Sequence, residues 1–322
     1  MRAWQVGALG EPLEAMALAE DLPRPEPAEG QLLVRVRAAA VNFPDALMVR
    51  GHYQVRPPLP FTPGVELCGE VVDGERAGER VIGTALLPAG AFAEYALMDA
   101  RGAFPAPAAL DDAEAAALHI GYQTAWFGLH RRAAIQPGET LLVHAAAGGV
   151  GSAAVQLGRA AGATAIGVVG GAEKAAVARE LGADLVIDRQ REDFVGAVKE
   201  ATGGRGADVV FDPVGGEAYT GSTKCVAFEG RILVVGFAGG TIPAPGLNHA
   251  LVKNYAILGL HWGLYNTHDP RAVGRAHREL TELADKGAVR PLVSERLPLD
   301  RAADAVHRVA AGTTTGRIAI LP

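Results

Sequence analysis

The sequence has little cysteine, no long apolar run and no cluster of basic residues. Cys68 and Cys225 are its only cysteines among 322 residues, so a disulfide framework is excluded, and we expect two small buried side chains in a reducing cytoplasm. No uninterrupted apolar stretch is long enough to span a bilayer, and residues 1–5 lack the apolar core of a signal peptide. The net charge of -6, without any run of lysine and arginine, argues against a nucleic-acid surface. We therefore expect a soluble enzyme with neither a membrane nor a nucleic acid as partner.

A glycine-rich turn follows an apolar run in the middle of the chain. Residues 140–143 predict a strand, and residues 151–161 place their apolar side chains on one helical face. Between them, Ala146, Gly148 and Gly151 occupy the three glycine positions of the dinucleotide-binding motif, so the first position departs from it. Backbone amides and the helix dipole at such a helix start can hold a pyrophosphate. The turn predicts a dinucleotide site, with a tight turn that binds no ligand as the alternative.

The alternation of apolar runs and helix-period segments continues downstream of the turn. The further predicted strands are residues 164–169, 185–187, 208–211, 231–235 and 255–260. Six strands that alternate with helices predict an α/β fold with a doubly wound parallel sheet.

The end of the second predicted strand indicates which dinucleotide is bound. An NAD site has an acid there to hold the ribose hydroxyls, whereas residues 168–171 of this chain read Val-Val-Gly-Gly. The missing acid removes the repulsion of a 2′-phosphate, and Lys174 and Arg189 follow as cations that can bind it. This pattern favours NADPH over NADH. An ordinary solvated position is the alternative for each of the two side chains.

The flanking segments differ from the middle of the chain. Residues 1–121 contain short alternating runs broken by proline and glycine, which predict antiparallel strands of a compact β domain. A short helix is predicted over 111–118, and residues 316–321 predict a strand that returns to the first domain. We therefore expect a β domain over 1–121, a dinucleotide-binding domain over 122–260 and a return to the β domain over 261–322.

Eight short motifs stand in a characteristic order along essentially the whole chain. They are VNFPD at 41–45, GHY at 51–53, PFTPGVE at 60–66, GAFAEY at 90–95, the turn at 145–151, TGGRGAD at 202–208, FDPVGG at 211–216 and VVGF at 234–237. In this order and spacing they resemble the medium-chain dehydrogenase/reductase superfamily, and specifically its zinc-free quinone oxidoreductase branch. The resemblance implies a GroES-like antiparallel β domain that holds the substrate beside a Rossmann domain, with the active site in the cleft between them.

The positions at which zinc-dependent alcohol dehydrogenases of this superfamily hold their metal carry other residues here. A catalytic zinc takes three protein ligands, usually thiolate and imidazole. Residues 38–42 read Ala-Ala-Ala-Val-Asn where those enzymes have a cysteine, and Gly64-Val65-Glu66 stands where they have Gly-His-Glu. The four-cysteine structural lobe is missing as well. We therefore expect no metal site, and we expect Glu66 to be a structural acid paired with an arginine inside the β domain.

The resemblance then implies hydride transfer from NADPH to a quinone or an α,β-unsaturated carbonyl compound, without zinc. Tyr53 matches the tyrosine proposed as proton donor in related enoyl-thioester reductases, and a phenol is protonated at neutral pH. Asn42 holds the family's place beside the nicotinamide. Tyr53 and Asn42 are therefore the catalytic candidates. The alternatives are a packing role for Tyr53 and a loop residue that bonds its own backbone for Asn42.

The resemblance also assigns the cofactor contacts residue by residue. Amides of the glycine turn would bind the pyrophosphate, two cations the 2′-phosphate, and the loops after the last two strands the nicotinamide end. The full set is Asn42, Thr124, Gly148, Gly149, Val150, Gly151, Lys174, Arg189, Phe237, Ala238, His261, Trp262, Gly263 and Arg317.

Two other functions stay open beside the quinone or enone reductase. One is an enoyl-CoA or acryloyl-CoA reductase, which would require Tyr53 and in which Arg50 and Arg56 would hold the CoA phosphates. The other is a non-catalytic NADPH-binding protein, since relatives serve as a lens crystallin. By analogy with the family we also expect a homodimer, in which the strand near 255–260 pairs across a two-fold axis.

Overall fold

The structure is a computed structural model that describes all 322 residues. The chain divides into two compact units, a first unit of Met1–Ile120 with Asp269–Pro322 and a second unit of Gly121–His268. The second boundary between the units, after His268, lies beyond the predicted boundary between residues 260 and 261. The reason is that the Tyr265 ring packs on Phe127 of the second unit, with 4.2 Å between the ring centroids. None of the helices combines the length and the apolar character needed to cross a membrane.

The first 132 residues contain seven strands and three helices. The strands are β1 (Ala3–Val6), β2 (Met16–Ala19), β3 (Gln31–Ala40), β4 (Glu66–Val71), β5 (Arg80–Thr84), β6 (Tyr95–Asp99) and β7 (Phe104–Pro105). The helices are α1 (Pro12–Ala15), α2 (Phe43–Val49) and α3 (Asp112–Trp126), which continues as a wider turn at Phe127–Arg132. Helix α3 is longer than predicted because it is buried on most sides, and such a helix lacks a one-sided apolar pattern.

Strands and helices alternate over the middle of the chain. They are β8 (Thr140–His144), α4 (Gly149–Ala160), β9 (Thr164–Val169), α5 (Ala172–Glu180), β10 (Leu185–Asp188), α6 (Phe194–Ala201), β11 (Ala207–Asp212), α7 (Gly216–Cys225), β12 (Val226–Val234), α8 (Leu247–Lys253) and β13 (Ala256–Gly259). Every predicted strand of this region is present.

These six strands form one parallel sheet with the order β10-β9-β8-β11-β12-β13. All five residues of β8 are buried, as expected for a central parallel strand covered by helices on both faces. The chain order reverses between β8 and β11, and doubly wound sheets bind their ligands outside the carboxyl ends of the strands at such a point. The predicted α/β fold with a Rossmann sheet is confirmed.

The tail returns to the first unit, as predicted. It contains α9 (Tyr265–His268), α10 (Pro270–Asp285), β14 (Val293–Pro298), α11 (Ala302–Ala310) and β15 (Arg317–Leu321), with short 3-10 turns at Trp262–Leu264 and Leu299–Arg301. Strand β15 pairs with β3, so that Ala319 lies opposite Ala40. The sheet of the first unit has the order β14-β15-β3-β4-β5-β7, with β6 also on β3, and all its pairs except β14 with β15 are antiparallel.

Both cysteines are free thiols in the interior. Burial raises the pKa of the Cys68 thiol to about 12 and that of Cys225 to about 11. The prediction of two small buried side chains is confirmed, and neither thiol carries the thiolate character that a reactive cysteine needs.

Candidate active site

The turn between β8 and α4 in the second unit leaves a helix start without a cap. Gly148 is the N-cap residue, so no capping side chain accepts a hydrogen bond from the first amides of α4. The Gly148 N–H donates to the Ala145 carbonyl oxygen at 2.8 Å. A Cβ atom on Gly151 would overlap that same carbonyl, so the tight turn requires glycine there. The amides of the first helical turn are thus available to an anionic group such as a pyrophosphate.

Lys174 follows the neighbouring strand β9, and Arg189 follows β10 but lies beside the end of β9, where its N–H donates to the Val169 carbonyl oxygen at 3.0 Å. Lys174 lies in the first turn of α5, directly after the turn at Gly170 and Gly171. The Arg189 side chain covers Gly170, where an added Cβ would lie 3.5 Å from the guanidinium Nε and Nη2 atoms. The structure brings the two predicted cations to the strand end at which a dinucleotide ribose binds in such folds.

Two carboxylates that sequence analysis did not single out hold these turns in place. Asp188, the last residue of β10, accepts hydrogen bonds from the Gly171 N–H at 2.8 Å and the Gln190 N–H at 3.1 Å, which hold its pKa below the ordinary value. Asp212, the last residue of β11, accepts from Val214 and Gly215 at 2.8 and 3.0 Å. Burial raises the pKa of Asp212. An acid at the end of a predicted strand, before a turn, was the available signal.

The other predicted cofactor residues of this unit follow β12 and β13. The Ala238 N–H donates to the Pro213 carbonyl oxygen at 3.0 Å, which ties the loop of Phe237 and Ala238 to the end of β11. His261 precedes the 3-10 turn that contains the buried Trp262 and the adjacent Gly263. Because all six strands are parallel, these loops and the glycine turn share one edge of the sheet. Thr124 lies instead on α3, where it is buried.

A buried polar cluster surrounds Asn42 in the first unit. The Asn42 Nδ2 donates to Glu66 Oε1 at 2.9 Å and to the Ala40 carbonyl oxygen at 3.1 Å. Glu66, which is 0% exposed, also accepts the Ile120 N–H at 2.7 Å through Oε2. Arg317 Nη2 donates to Glu66 Oε1. The predicted pairing of Glu66 with an arginine inside the β domain is confirmed.

The arginine of this pair is also one of the predicted cofactor contacts. Arg317 begins β15, is 5% exposed and has its charge partner, Glu66, within its own unit. Its contact with a cofactor stays a prediction.

Asp45 adjoins this cluster, and its charge acts on Tyr53, the predicted proton donor. Asp45 is buried and accepts the backbone N–H groups of Asn42 and Gly64 at 2.7 and 3.2 Å. Burial raises the pKa of Asp45 to about 7, and the charge of Glu66 adds to the effect. Tyr53 is half-buried and packs on the core of the β domain. Burial, and then the charge of Asp45, raise the pKa of the Tyr53 phenol.

The basic residues considered for a CoA ligand are in part engaged elsewhere. Arg50 ends the α2 region and pairs with Glu11 at 2.7 Å. This partner weakens the case for a phosphate-binding patch at Arg50.

The chain matches known families over most of its length. Residues 28–108 match the family described as "Alcohol dehydrogenase GroES-like domain", and residues 149–277 match "Zinc-binding dehydrogenase". The chain is 37% identical to "Quinone oxidoreductase-like protein 2 homolog" of Nematostella vectensis, over 99% of this chain and 88% of that protein. It is 31% identical to the quinone oxidoreductase of Rattus norvegicus, over 95% and 92% of the two chains.

Solved structures are similar over the full chain. The Escherichia coli quinone oxidoreductase complexed with NADPH has a TM-score of 0.92 at 31% identity, and the similarity covers 100% of both chains. The Thermus thermophilus quinone oxidoreductase, also described in its complex with NADPH, has a TM-score of 0.86 at 33% identity, again over 100% of both chains.

A GroES-like β domain and a Rossmann domain with a glycine turn in one chain define an oxidoreductase of the medium-chain dehydrogenase/reductase superfamily. Within that superfamily the chain belongs to the quinone oxidoreductase family.

Proposed function

We propose that this protein reduces a quinone or an α,β-unsaturated carbonyl compound with NADPH as the hydride source. One observation carries the proposal. The uncapped helix start at Gly148–Gly151 follows β8, Lys174 follows the neighbouring strand β9, and the Arg189 side chain covers Gly170 at the end of β9. A pyrophosphate and a 2′-phosphate fit these two places. The NADPH complexes of the Escherichia coli and Thermus thermophilus relatives support the choice of cofactor.

The chain's own residues position the cofactor and the acceptor and stabilise the charge that develops on the acceptor, whereas NADPH, when bound, supplies the hydride. Amides of Gly149 and Val150 bind the pyrophosphate, and Asn42 contacts the nicotinamide end. Tyr53 donates the proton that an enone needs after reduction. Its raised pKa keeps the phenol protonated at neutral pH, so the donor form is always present.

The proposed reaction proceeds without zinc. Glu66 belongs to an ion pair in the first unit: its carboxylate accepts hydrogen bonds from Arg317, Asn42 and the Ile120 N–H. These partners already use both oxygens of the carboxylate. Quinones and enones suit such a site because their conjugation delocalises the charge that hydride addition creates, so no Lewis acid is required.

The Tyr53→Phe variant tests the role of the phenol. We expect the wild-type protein to oxidise NADPH with 1,2- and 1,4-quinones, and Tyr53→Phe to keep that rate within about threefold, because hydroquinone oxygens take protons from water. With simple enones we expect Tyr53→Phe to lower kcat by roughly 100-fold, because protonation at carbon needs a positioned acid. The measurement is NADPH absorbance at 340 nm with quinones, enones and crotonyl-CoA in parallel.

Tyr95→Phe is the matched control, because the Tyr95 ring lies under the Arg24 guanidinium, elsewhere in the same unit. It should leave both rates unchanged. A preference for crotonyl-CoA that is abolished in Tyr53→Phe would instead identify an enoyl-thioester reductase. Tight NADPH binding without any turnover would identify a non-catalytic binding protein.

We also propose that the protein is a homodimer joined through the second unit. Strand β13 lies at the edge of the Rossmann sheet, so one of its sides has no strand partner. Five large apolar side chains in the segment before it are between 69% and 75% exposed, namely Phe228, Ile242, Leu247, Leu251 and Val252. An open strand edge beside exposed apolar side chains is typical of an interface between copies.

The Leu251→Asp/Val252→Asp double variant tests this assembly. Two charges buried at an apolar interface are unfavourable, so the mass in solution should fall from twice 33.3 kDa toward 33.3 kDa. Sedimentation velocity measures it. Leu13→Asp is the control, because Leu13 is 56% exposed in the first unit. A wild-type monomer, or a double variant that stays dimeric, would contradict the proposed interface.

A further inference from the structure

The buried ion pair of Glu66 and Arg317 directly contacts one of the predicted catalytic residues. We propose that Arg317 and Glu66 are positioning residues that hold the side-chain amide of Asn42 in one orientation. The inference rests on the proposed function, in which Asn42 contacts the nicotinamide end. It adds a role for two residues that do not themselves need to touch the cofactor or the acceptor.

The geometry makes Glu66 the anchor of the Asn42 amide. Strand pairing sets Ala40 of β3 opposite Glu66 of β4, and Asn42 follows two residues after Ala40. The Asn42 Nδ2 therefore reaches both the Ala40 carbonyl oxygen and the Glu66 carboxylate, at 3.1 and 2.9 Å. Both amide hydrogens have an acceptor inside the domain, so rotation of the side chain would break two buried hydrogen bonds.

Arg317 compensates the charge of Glu66, the group that accepts one of these bonds. The carboxylate is fully buried, and the carboxyl group of Asp45 is close enough for the two charges to repel. Without the guanidinium, the Glu66 carboxylate would lose its only charge partner, and an unpaired buried charge is unfavourable. The carboxylate would then no longer be held between Arg317 and its donors at Asn42 and Ile120. The orientation of Asn42 thus depends on the charge of Arg317.

Stability alone is a weak reason for such a pair. Buried ion pairs can be replaced by apolar residues of similar volume with little loss of stability. An apolar replacement would provide no acceptor at 2.9 Å from the Asn42 amide. The positioning of Asn42 is what this ion pair supplies and an apolar pair would not.

The first test uses the ligand-free protein. In ¹⁵N-labelled wild-type protein the side-chain NH₂ of Asn42, assigned by its loss in Asn42→Asp, should give two resolved proton signals that exchange slowly with water. In Arg317→Met these signals should exchange at least roughly tenfold faster, because the Glu66 carboxylate is no longer held in place by the guanidinium. Arg317→Lys keeps a cation for Glu66 and should restore slow exchange.

The second test separates catalysis from cofactor affinity. Arg317→Met should lower kcat by about 10- to 100-fold, because small displacements of a positioning group have effects of this size. Its KM for NADPH should stay within about threefold, since the phosphate contacts lie in the other unit. Arg317→Lys and Glu66→Gln should fall between Arg317→Met and the wild type. Arg290→Met is the matched control, because Arg290 pairs with Glu114 in the same unit at 2.6 Å.

Each outcome decides between positioning and a purely structural role. Slow exchange of the Asn42 amide in a folded Arg317→Met protein, or an unchanged kcat, would overturn the inference. If Arg317→Met does not fold, Glu66→Gln carries the same two measurements. A wild-type protein that fails to oxidise NADPH would refute the proposed function, while the exchange experiment would still support or overturn the positioning of Asn42.

Discussion

Replacing Lys174 and Arg189 together with alanine is expected to lower kcat/KM for NADPH by roughly 100- to 1,000-fold and to leave kcat/KM for NADH within about threefold. NADH lacks the 2′-phosphate, so it loses no contact when the two cations are removed. A hydrogen bond to a charged group contributes about 1.5–3 kcal/mol. Arg189 is exposed and Lys174 half-buried, so screening by solvent favours the lower end, about 3–4 kcal/mol for both.

Comparing NADPH with NADH makes this experiment specific for contacts with the 2′-phosphate. Initial rates with one quinone are measured against each nucleotide for wild type, both single variants and the double variant. Lys199→Ala with Arg179→Ala is the matched control, because both residues lie in last helical turns, at the opposite ends of their helices from the carboxyl edge of the sheet. Equal losses with NADPH and NADH would show that the two side chains do not bind the 2′-phosphate.

Acidification from pH 7 to pH 4 is expected to lower the free energy of unfolding of each unit by on the order of 3 kcal/mol. Burial lowers the pKa of His119 to about 3, and those of His144 and His277 to about 4. Below pH 6.5 the unfolded chain binds protons at these positions and the folded chain does not. Their stabilisation is therefore complete above pH 6.5 and is lost as the pH falls through the folded values.

The two units differ in how this loss arises. In the second unit, His144 is the one histidine whose pKa burial lowers, with a loss of about 3 kcal/mol, and the raised pKa of Asp212 acts in the opposite direction. The first unit has His119 and His277, but burial raises the pKa of Asp45 to about 7. A raised carboxyl pKa has the opposite sign, because the folded state then binds the extra proton between about pH 4 and 7. Asp45 thus offsets about half of the loss that the two histidines cause.

Scanning calorimetry at pH 7.5, 5.5 and 4 measures this dependence, with each unit followed as its own transition. His144→Gln keeps a polar partner for Ser222, whose Oγ lies 2.8 Å from His144 Nε2, and should flatten the pH dependence of the second unit. His268→Gln, at an exposed position, should change nothing. A His144→Gln protein with the wild-type pH dependence would contradict the assignment.

Local pattern was sufficient for the elements of the fold. The six strands of the Rossmann sheet, the glycine turn and the returning tail strand were all predicted, because apolar periods of two and of about three and a half residues are properties of short segments. Helix α3 has an end that local pattern does not predict. It is buried on most sides, so its sequence has no apolar stripe to mark where it ends.

The candidate site was predicted less completely. Lys174 and Arg189 were identifiable as cations after two different strands, but their meeting at the end of β9 depends on the pairing of β9 with β10. Asp188 and Asp212 were missed, because an acid at a strand end can equally bind a ribose, cap a turn or face solvent. Which of these it does depends on the backbone amides around it.

By itself the sequence determined the class of this protein: an α/β chain with a dinucleotide turn, a second β domain and the motif order of the quinone oxidoreductases. Tertiary structure alone decided which side chains share an environment. Glu66 and Arg317 are 251 positions apart, and they meet because β4 and β15 both pair with β3. Residue types and short apolar periods are properties of the local sequence. The burial that shifts the pKa of Asp45 and the charge that holds Asn42 arise only when distant strands come into register.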